Sequence, residues 1–279
     1  MNRSRGYPWI SWMAPVLFCP FSSPVFPRDE NRLSFGSLMD HLAHRPISPL
    51  VERVIVLAGG KSSRMGTSKA NLVYEGETFI ARICWDMGEL RVPLFILTSG
   101  RDLGCANELE LPNEQADFPQ RFIEKDPEAY RGPLVALGSH AVRHPLTPGG
   151  WAFVTGCDTP LIDARFVHTL WSQAAPRLDA ASQAIGFSMT DEASDVEVVT
   201  EQVMAPFPAF YSASLLASLI NASSAGETSL FRLLKSVPKV VVPQQELLPT
   251  LADSAVGRLP PWFNVNTPAE HAVLTSNSF

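Results

Sequence analysis

Val54-Ile-Val-Leu-Ala-Gly-Gly-Lys-Ser-Ser-Arg-Met-Gly-Thr-Ser-Lys69 is the stretch of the sequence that decides the fold. Its apolar residues Val54 to Leu57 predict a strand buried on both faces, which is typical of a parallel sheet. The strand runs into Ala58-Gly-Gly60, where backbone amides can approach a ligand without a Cβ in the way. The guanidinium of Arg64 and the ammonium of Lys69 would offset the charge of a polyphosphate held there. The stretch therefore predicts a phosphate-binding loop at the end of a buried strand.

Two better-known phosphate loops do not fit this stretch. Gly60-Lys61-Ser62 is similar to the close of a Walker loop, but the first glycine of that motif would fall at Ile55, inside the strand. The dinucleotide fingerprint G-x-G-x-x-G is absent. A glycine turn that only reverses the chain, with solvated cations after it, is the alternative. The order of strand, glycines, arginine and lysine favours phosphate binding.

The run Leu57-Ala-Gly-Gly-Lys-Ser-Ser-Arg-Met-Gly66, followed by Lys69, resembles the signature loop of the molybdenum cofactor guanylyltransferase family, which are nucleotidyltransferases. In that family the loop wraps the triphosphate of GTP. The resemblance implies that Arg64 and Lys69 are catalytic, and that the nucleotide is bound by Leu57, Ala58, Gly59, Gly60 and Lys69. One departure lies within the motif, because the family usually has Asp where this chain has Ser68.

The composition indicates a globular protein and argues against a nucleic-acid-binding protein. The chain has 279 residues, of which 46% are hydrophobic and 18% charged, so it can form a globular protein with a large core. A net charge of −6 argues against a nucleic-acid partner. Four scattered cysteines indicate a reduced, cytoplasmic protein. His140 and His144 share a helical spacing, but the Glu of H-E-x-x-H is missing and Pro145 follows, so we interpret them as a helix end and not as a zinc site.

The first 50 residues differ from the rest of the chain. Tyr7–Pro20 is aromatic, broken by prolines and without a clean period, so we predict a disordered extension over residues 1–50, with Met39 as a plausible internal start. A secretory signal is the alternative, since Arg3 and Arg5 precede an apolar run. That run is interrupted by prolines and is too short to span a bilayer as a helix. Residues 51–279 are predicted to form a single nucleotidyltransferase domain.

From Val54 onward the sequence alternates strand and helix patterns. This alternation predicts an α/β fold of three layers, a mostly parallel sheet with helices on both faces, and the resemblance implies a Rossmann-like nucleotidyltransferase type. The predicted strands contain Leu94–Leu97, Phe122–Ile123, Trp151–Val154 and Val240–Val242, with Ala180–Phe187 as a further candidate. The predicted helices are Phe79–Leu90, Pro133–Arg143, Asp163–Ala174, Ser214–Asn221, Ser229–Lys235 and one that begins at Pro268.

Trp151-Ala-Phe-Val-Thr-Gly-Cys-Asp158-Thr-Pro-Leu161 is the second informative stretch. A buried strand places Asp158 at its carboxyl end, where parallel sheets hold their ligands. Leaving that carboxylate buried and unpaired would be costly, and Mg²⁺ would satisfy it together with phosphate oxygens. The alternative is that Asp158 caps the helix that begins near Asp163. In the family, the equivalent Asp of Cys-Asp-x-Pro binds the metal, and Cys157-Asp-Thr-Pro160 matches.

Three further segments are similar to family motifs. Asp126 precedes Gly132-Pro-Leu134 as in the family, which implies that it lines the nucleotide pocket. Thr98 stands where a family Asn contacts the nucleotide. Pro206–Tyr211 resembles a segment on the acceptor side. Asn264-Val-Asn-Thr-Pro268 resembles a closing phrase near the acceptor pterin, which implies acceptor contacts from Asn264 and Asn266; without the family, the same residues predict only a helix start capped by Thr267.

The resemblance implies transfer of GMP from GTP to the terminal phosphate of molybdopterin, with Mg²⁺ as cofactor and pyrophosphate as the second product. A cytidylyltransferase acting on molybdopterin or on a polyol or sugar phosphate is one alternative, although relatives that use CTP more often read Leu-Ala-Ala-Gly at the loop. A catalytically silent nucleotide-binding protein is the other, favoured by Ser68 and Thr98 and opposed by Lys69 and Asp158. No nucleic-acid or membrane partner is expected, and the predicted state is a cytoplasmic monomer or weak homo-oligomer.

Overall fold

The computed structural model describes residues 47–59, 66–99, 103, 119–125, 131–188, 203–251 and 259–276. All of them lie in one compact unit, Asp40–Phe279. Its strands are β1 (Val51–Leu57), β2 (Val73–Tyr74), β3 (Glu77–Thr78), β4 (Leu94–Thr98), β5 (Arg121–Lys125), β6 (Trp151–Gly156), β7 (Ala184–Phe187), β8 (Ala209–Ser212) and β9 (Lys239–Val242). Its helices are α1 (Phe79–Gly88), α2 (Pro133–Arg143), α3 (Ala164–Ala174), α4 (Ala213–Ser224), α5 (Leu230–Ser236), α6 (Gln244–Leu251) and α7 (Pro268–Ser276). The predicted N-terminal extension falls almost entirely outside the described residues.

Seven of these strands form one sheet in the order β5-β4-β1-β6-β8-β7-β9. Neighbouring strands run parallel except at β8, which is antiparallel to both β6 and β7. This arrangement confirms the predicted fold class, a mostly parallel α/β sheet. The sequence did not predict β8 as a strand, because Pro206 and Pro208 precede it and prolines disfavour strand interiors.

Helices cover both faces of the sheet, so the domain has the three predicted layers. Alternate residues of β1 point to opposite layers, as the two-residue period of a strand requires. Val54 and Val56 pack in a cluster with α1 and α3, whereas Ile55 packs in a second cluster with α2 and α4. All three side chains are fully buried, which confirms that β1 is a central strand covered on both sides.

The observed helix starts follow the local sequence signals. The Thr78 hydroxyl accepts a hydrogen bond from the Ala81 N–H at 3.3 Å, which confirms the predicted cap of α1. Pro133 occupies the first turn of α2, where its missing N–H costs nothing. The prediction placed the end of α1 at Leu90, but the helix ends at Gly88 and the chain turns at Arg91, whose φ is +55°.

A third, smaller core joins three distant parts of the chain. It contains Leu72 and Tyr74 beside the β2–β3 hairpin, Leu161 after β6, and Val265 and Leu274 from the last described segment. These residues are up to about 200 positions apart in the sequence, but their side chains pack together. The segment that follows the glycine loop, the segment that follows β6 and the start of α7 therefore lie side by side.

Candidate active site

The ends of three adjacent parallel strands form one edge of the site. The Ala58 N–H donates to the Leu97 carbonyl at 2.8 Å, and the Cys157 N–H donates to the Leu57 carbonyl at 3.0 Å. The chain that leaves β1 is thereby held between the ends of β4 and β6. Ligands of parallel α/β sheets bind at this carboxyl edge.

Gly59 packs tightly against the end of β4. A Cβ at this position would lie 3.0 Å from the backbone nitrogen of Ser99, so a larger residue would push the two segments apart. Thr98 is the last residue of β4 and is buried beside this contact. Gly60 and Arg64 lie outside the described residues, and their phosphate contacts stay predictions.

Lys69, Asp158 and Asn266 form a hydrogen-bonded group, which we call the Lys–Asp–Asn cluster. Lys69 Nζ donates to Asp158 Oδ2 at 3.2 Å and also donates to Asn266 Oδ1. The side chains of Lys69 and Asp158 are 17% and 28% exposed, so the pair is shielded but reachable from solvent. Three residues predicted from three separate motifs thus meet at one point.

Gly156, the last residue of β6, makes room for the Asp158 carboxylate. A Cβ built on Gly156 would overlap Asp158 Oδ1. No role for this glycine could be predicted from the sequence, because a glycine at the end of a strand does not indicate which side chain will fold back over it. Because Gly156 has no Cβ, the Asp158 carboxylate can lie directly against the end of β6.

The interpretation of Asp158 as a helix cap is wrong. Asp163 fills that role, because its Oδ1 accepts the Phe166 N–H at 2.8 Å at the start of α3. The Asp158 carboxylate is turned toward Lys69 instead, and its backbone carbonyl accepts the Val265 N–H at 2.8 Å. Asp158 is therefore free of a capping role and is joined by its backbone to the segment that carries Asn266.

Glu270 holds Asn266 in place. Its Oε2 accepts the Asn266 N–H at 2.6 Å, the Thr267 N–H at 2.7 Å and the Thr267 hydroxyl at 3.0 Å. In return, the Glu270 N–H donates to Thr267 Oγ1 at 3.3 Å, which completes a capping box at the start of α7. Burial opposes ionisation of Glu270, but these hydrogen bonds and the Lys69 charge outweigh it and lower the pKa of the carboxyl.

The capping-box spacing Thr267-x-x-Glu270 could have predicted the role of Glu270 from sequence. The prediction that Thr267 caps a helix beginning at Pro268 is confirmed. Asn264, the other predicted acceptor residue, is exposed two positions before Asn266. Asp126 lies outside the described residues, so its place in the nucleotide pocket stays a prediction.

Cys157 stands next to Asp158 but is unsuited to nucleophilic chemistry. Burial, followed by the charge of Asp158, raises the pKa of its thiol to about 12, so the thiol stays protonated at neutral pH. The chemistry of this edge therefore rests on the ammonium, the carboxylate and the amide of the cluster.

A second charged group, the His–Glu cluster, comprises Glu124, His140 and His144. Glu124 Oε2 lies 3.1 Å from His140 Nδ1, and Glu124 Oε1 lies 2.6 Å from His144 Nε2. The prediction that these histidines mark a helix end is confirmed, since α2 ends at Arg143 and His144 is its C-cap. The spacing of the two histidines along the helix could not indicate that both contact a carboxylate, that of Glu124 on β5.

In the described part of the chain, no helix is both long enough and apolar enough to cross a membrane.

A mostly parallel sheet that presents a closely packed glycine, an ammonium and a carboxylate at its carboxyl edge is typical of α/β folds that bind nucleotides. The chain belongs to the family described as MobA-like NTP transferase domain, which it matches over residues 54–241. The match includes Lys69 and Asp158 and ends before Asn266.

Two curated relatives carry more specific names. The chain is 26% identical over 123 residues to a molybdenum cofactor guanylyltransferase of Pseudomonas syringae pv. syringae, which covers 44% of this chain and 55% of that protein. It is 28% identical over 128 residues to a probable molybdenum cofactor guanylyltransferase of Bacillus cytotoxicus, which covers 45% of this chain and 58% of that protein. The chain thus spans little more than half the length of the curated relatives it matches.

Solved structures support the fold. Molybdopterin-guanine dinucleotide biosynthesis protein A from Archaeoglobus fulgidus is similar with a TM-score of 0.54 and 18% identity, covering 80% of this chain and 97% of that one. A 4-diphosphocytidyl-2C-methyl-D-erythritol synthase from Anaerococcus prevotii is similar with a TM-score of 0.51 and 10% identity, covering 81% and 97%. At these identities the likeness concerns the fold alone.

Proposed function

We propose that this protein is a nucleotidyltransferase that moves GMP from GTP to the terminal phosphate of molybdopterin. The observation that carries the proposal is the Lys–Asp–Asn cluster at the carboxyl edge of the sheet, the same edge at which Gly59 follows β1. Family membership supports nucleotidyl transfer, and the names of the two curated relatives support the guanylyl group and the molybdopterin acceptor.

In the proposed reaction, an oxygen of the acceptor's terminal phosphate attacks the α-phosphorus of GTP. A new P–O bond forms, the bond from the α-phosphorus to the oxygen that bridges to the β-phosphorus breaks, and pyrophosphate leaves with the electron pair. Such a step needs positioned reactants and offset charge more than it needs a protein nucleophile. The buried, protonated Cys157 is consistent with that requirement.

Within the cluster, Lys69 would supply the positive charge near the phosphates. The Lys69 ammonium, anchored by Asp158 and Asn266, would donate to oxygens of the departing pyrophosphate. Backbone amides of Ala58, Gly59 and Gly60 would hold the triphosphate after β1, and Arg64 would add a second cation. Close packing of Gly59 against Ser99 keeps this turn next to the end of β4.

The donor atoms of the cluster fit the divalent cation that the resemblance implies. The Asp158 carboxylate and the Asn266 amide oxygen converge on Lys69 Nζ, and oxygen atoms are the ligands that Mg²⁺ prefers. One carboxylate is enough when substrate phosphates complete the coordination. When bound, Mg²⁺ would offset charge between the phosphates. Asn266 would then retain the Lys69 side chain while Asp158 holds the metal.

The remaining predicted contacts surround the cluster. Thr98 and Asp126 would line the nucleoside side of the pocket, and Asn264 and Asn266 would lie toward the acceptor. Asn266 would link the cluster to the acceptor side, because its amide oxygen binds Lys69 and Asn264, two positions before it, is exposed.

Measuring pyrophosphate release tests the proposal. Full-length protein would be incubated with Mg²⁺, molybdopterin and each of GTP, CTP, ATP and UTP in separate reactions. We expect release with GTP that depends on molybdopterin and is lost in the Asp158→Asn variant. Faster release with CTP would overturn the choice of nucleotide, and nucleotide binding without release under any condition would make the protein a silent binder.

A further inference from the structure

The His–Glu cluster lies outside the proposed active site and has its own chemistry. We propose that Glu124, His140 and His144 form a binding site for a transition-metal ion of the zinc class. Their donor atoms, one from each residue, all lie within 4.8 Å of one another. Two imidazoles and a carboxylate are a common set of three protein ligands for Zn²⁺, which leaves a fourth position for water.

The spacing of these atoms is close to that of zinc ligands. With metal–ligand bonds of about 2.0–2.1 Å, two donors on one tetrahedral zinc ion lie roughly 3.3 Å apart. The carboxylate oxygens of Glu124 are already 3.1 Å from His140 Nδ1 and 2.6 Å from His144 Nε2. The two histidine donors also lie within 4.8 Å of each other, so binding one ion requires side-chain rotations that bring the three donors together.

The cluster is held on regular structure and packed against an aromatic ring. Glu124 is on β5, His140 is in α2, and His144 is the C-cap of α2. The ring of Phe95 lies 4.7 Å from the His140 imidazole and 5.2 Å from the His144 imidazole, measured between centroids. His140 is fully buried, whereas the His144 side chain is 42% exposed, which gives a bound ion one side open to water.

Two of the three proposed ligands, His140 and Glu124, are in protonation states that suit metal binding. Burial lowers the pKa of His140, which leaves this imidazole neutral at pH 7. Burial also opposes ionisation of Glu124, but hydrogen bonds with His140 and Arg143 outweigh it and lower the pKa of the carboxyl. A neutral imidazole and an ionised carboxylate bind a metal ion without first losing a proton.

Two arginines compete with a metal ion for these ligands. Arg143 Nη2 donates to Glu124 Oε2 at 2.7 Å, and Arg53 Nη1 lies 3.4 Å from His140 Nε2. A metal on His140 Nδ1 puts the ring proton on Nε2, so the contact with Arg53 has to lengthen. The Arg143 side chain is 39% exposed and can turn to solvent. The site therefore exchanges a guanidinium for a metal ion, and this competition lowers its affinity.

Removing the competitor gives the sharpest test. Full-length protein would be titrated with Zn²⁺ in calorimetry, and zinc retained after dialysis would be counted by mass spectrometry. We expect one ion per chain that is lost, or bound at least about tenfold more weakly, in Glu124→Gln and His144→Ala. Arg143→Ala should bind Zn²⁺ about tenfold more tightly, because the guanidinium no longer occupies the carboxylate. His271→Ala, which changes a histidine on α7, should bind like the parent protein.

Circular dichroism melts would establish that each variant is folded before binding is compared, and Co²⁺ absorption would report nitrogen and oxygen ligation directly. The proposal fails if the parent protein retains no zinc, if retained zinc is unaffected by Glu124→Gln and His144→Ala, or if Arg143→Ala binds Zn²⁺ no more tightly. In each case the cluster would be an ion-pair network that fixes the end of α2. None of these outcomes depends on the proposed transferase activity.

Discussion

The Lys–Asp–Asn cluster and the His–Glu cluster each place one carboxylate among cationic or polar side chains, but their surroundings differ. Asp158 pairs with one ammonium, that of Lys69, which also donates to the Asn266 amide oxygen, and the Asp158 side chain is 28% exposed at the carboxyl edge of the sheet. Glu124 faces two imidazoles and a guanidinium, and its side chain is 14% exposed. The first arrangement suits phosphate and hard cations, and the second suits softer metal ions. The neighbours of a carboxylate, more than the carboxylate itself, decide its chemistry.

Replacing each carboxylate by its amide should give the largest difference between the two clusters, because only one of the two changes is expected to lower turnover. Asp158→Asn keeps the side-chain shape but removes the charge, so we expect turnover to fall roughly a hundredfold or more, on the order of 3 kcal/mol of barrier. The melting temperature should stay near that of the parent protein. Glu124→Gln makes the matched change outside the proposed active site. It should lower the melting temperature by a few degrees and leave turnover per folded molecule unchanged. An Asp158→Asn protein that unfolds but turns over normally per folded molecule would remove Asp158 from the catalytic group.

Substitutions of two glycines, Gly156 at the end of β6 and Gly150 just before its start, can distinguish the effect of the Asp158 position from the effect of strand stability. Gly156→Ala would force Asp158 Oδ1 away from its present place, so we expect turnover to fall by about tenfold to a hundredfold. Gly150→Ala creates a similar overlap with Glu52 Oε1 at the start of the same strand, away from the cluster. Steady-state kinetics of the two variants, scaled to the folded fraction, provides the comparison. Equal losses in both would show that turnover depends on strand integrity and not on the position of Asp158.

Lys69 is expected to act on the departing pyrophosphate. Replacing it by alanine should lower turnover roughly tenfold or more with little change in the folded state, because the Asp158 and Asn266 oxygens can be solvated in its absence. Lys239→Ala, on the edge strand β9, is the matched control and should keep normal turnover. If Lys69→Ala turned over GTP normally, the lysine would only balance the charge of Asp158, and Arg64 would be the better candidate.

The smallest expected effect concerns the support of Asn266. Because the folded-state pKa of Glu270 is lowered, its carboxylate stabilises the native state above its unfolded pKa, and this contribution is lost as the pH falls through the folded-state value. Glu270→Gln should therefore melt a few degrees below the parent protein at pH 7, and the difference should shrink toward pH 3.5. Thermal melts across this range measure the trend. A difference that stays constant with pH would mean that the charge of Glu270 does not contribute.

Most of the fold could be predicted from sequence, because it depends on apolar patterns and caps. The buried run Val54–Val56, the Thr78 cap and the start of α7 at Pro268 all follow from local residue types. The strand β8 was missed, since prolines precede it and one of its two partner strands, β6, lies more than fifty residues before it in the sequence.

Individual residues of the candidate site could be predicted from the sequence, but the contacts between them could not. Lys69 and Asp158 were found from their motifs, yet no pattern in the sequence indicates that Lys69 contacts both Asp158 and Asn266, the latter 197 residues beyond Lys69. The clearance at Gly156 and the partnership of Glu124 with His140 are likewise consequences of packing between elements. Such contacts depend on the direction of side chains in three dimensions, which spacing along the chain does not encode.

The long sequence separation within the Lys–Asp–Asn cluster has a consequence for synthesis. The last strand of the sheet, β9, ends at Val242, and Asn266 and its anchor Glu270 follow it. A nascent chain that has emerged only as far as β9 contains every strand of the seven-stranded sheet, but Lys69 still lacks its Asn266 partner. The same chain also lacks Val265 and Leu274 of the third core, so the segment that completes the Lys–Asp–Asn cluster also completes this part of the packing.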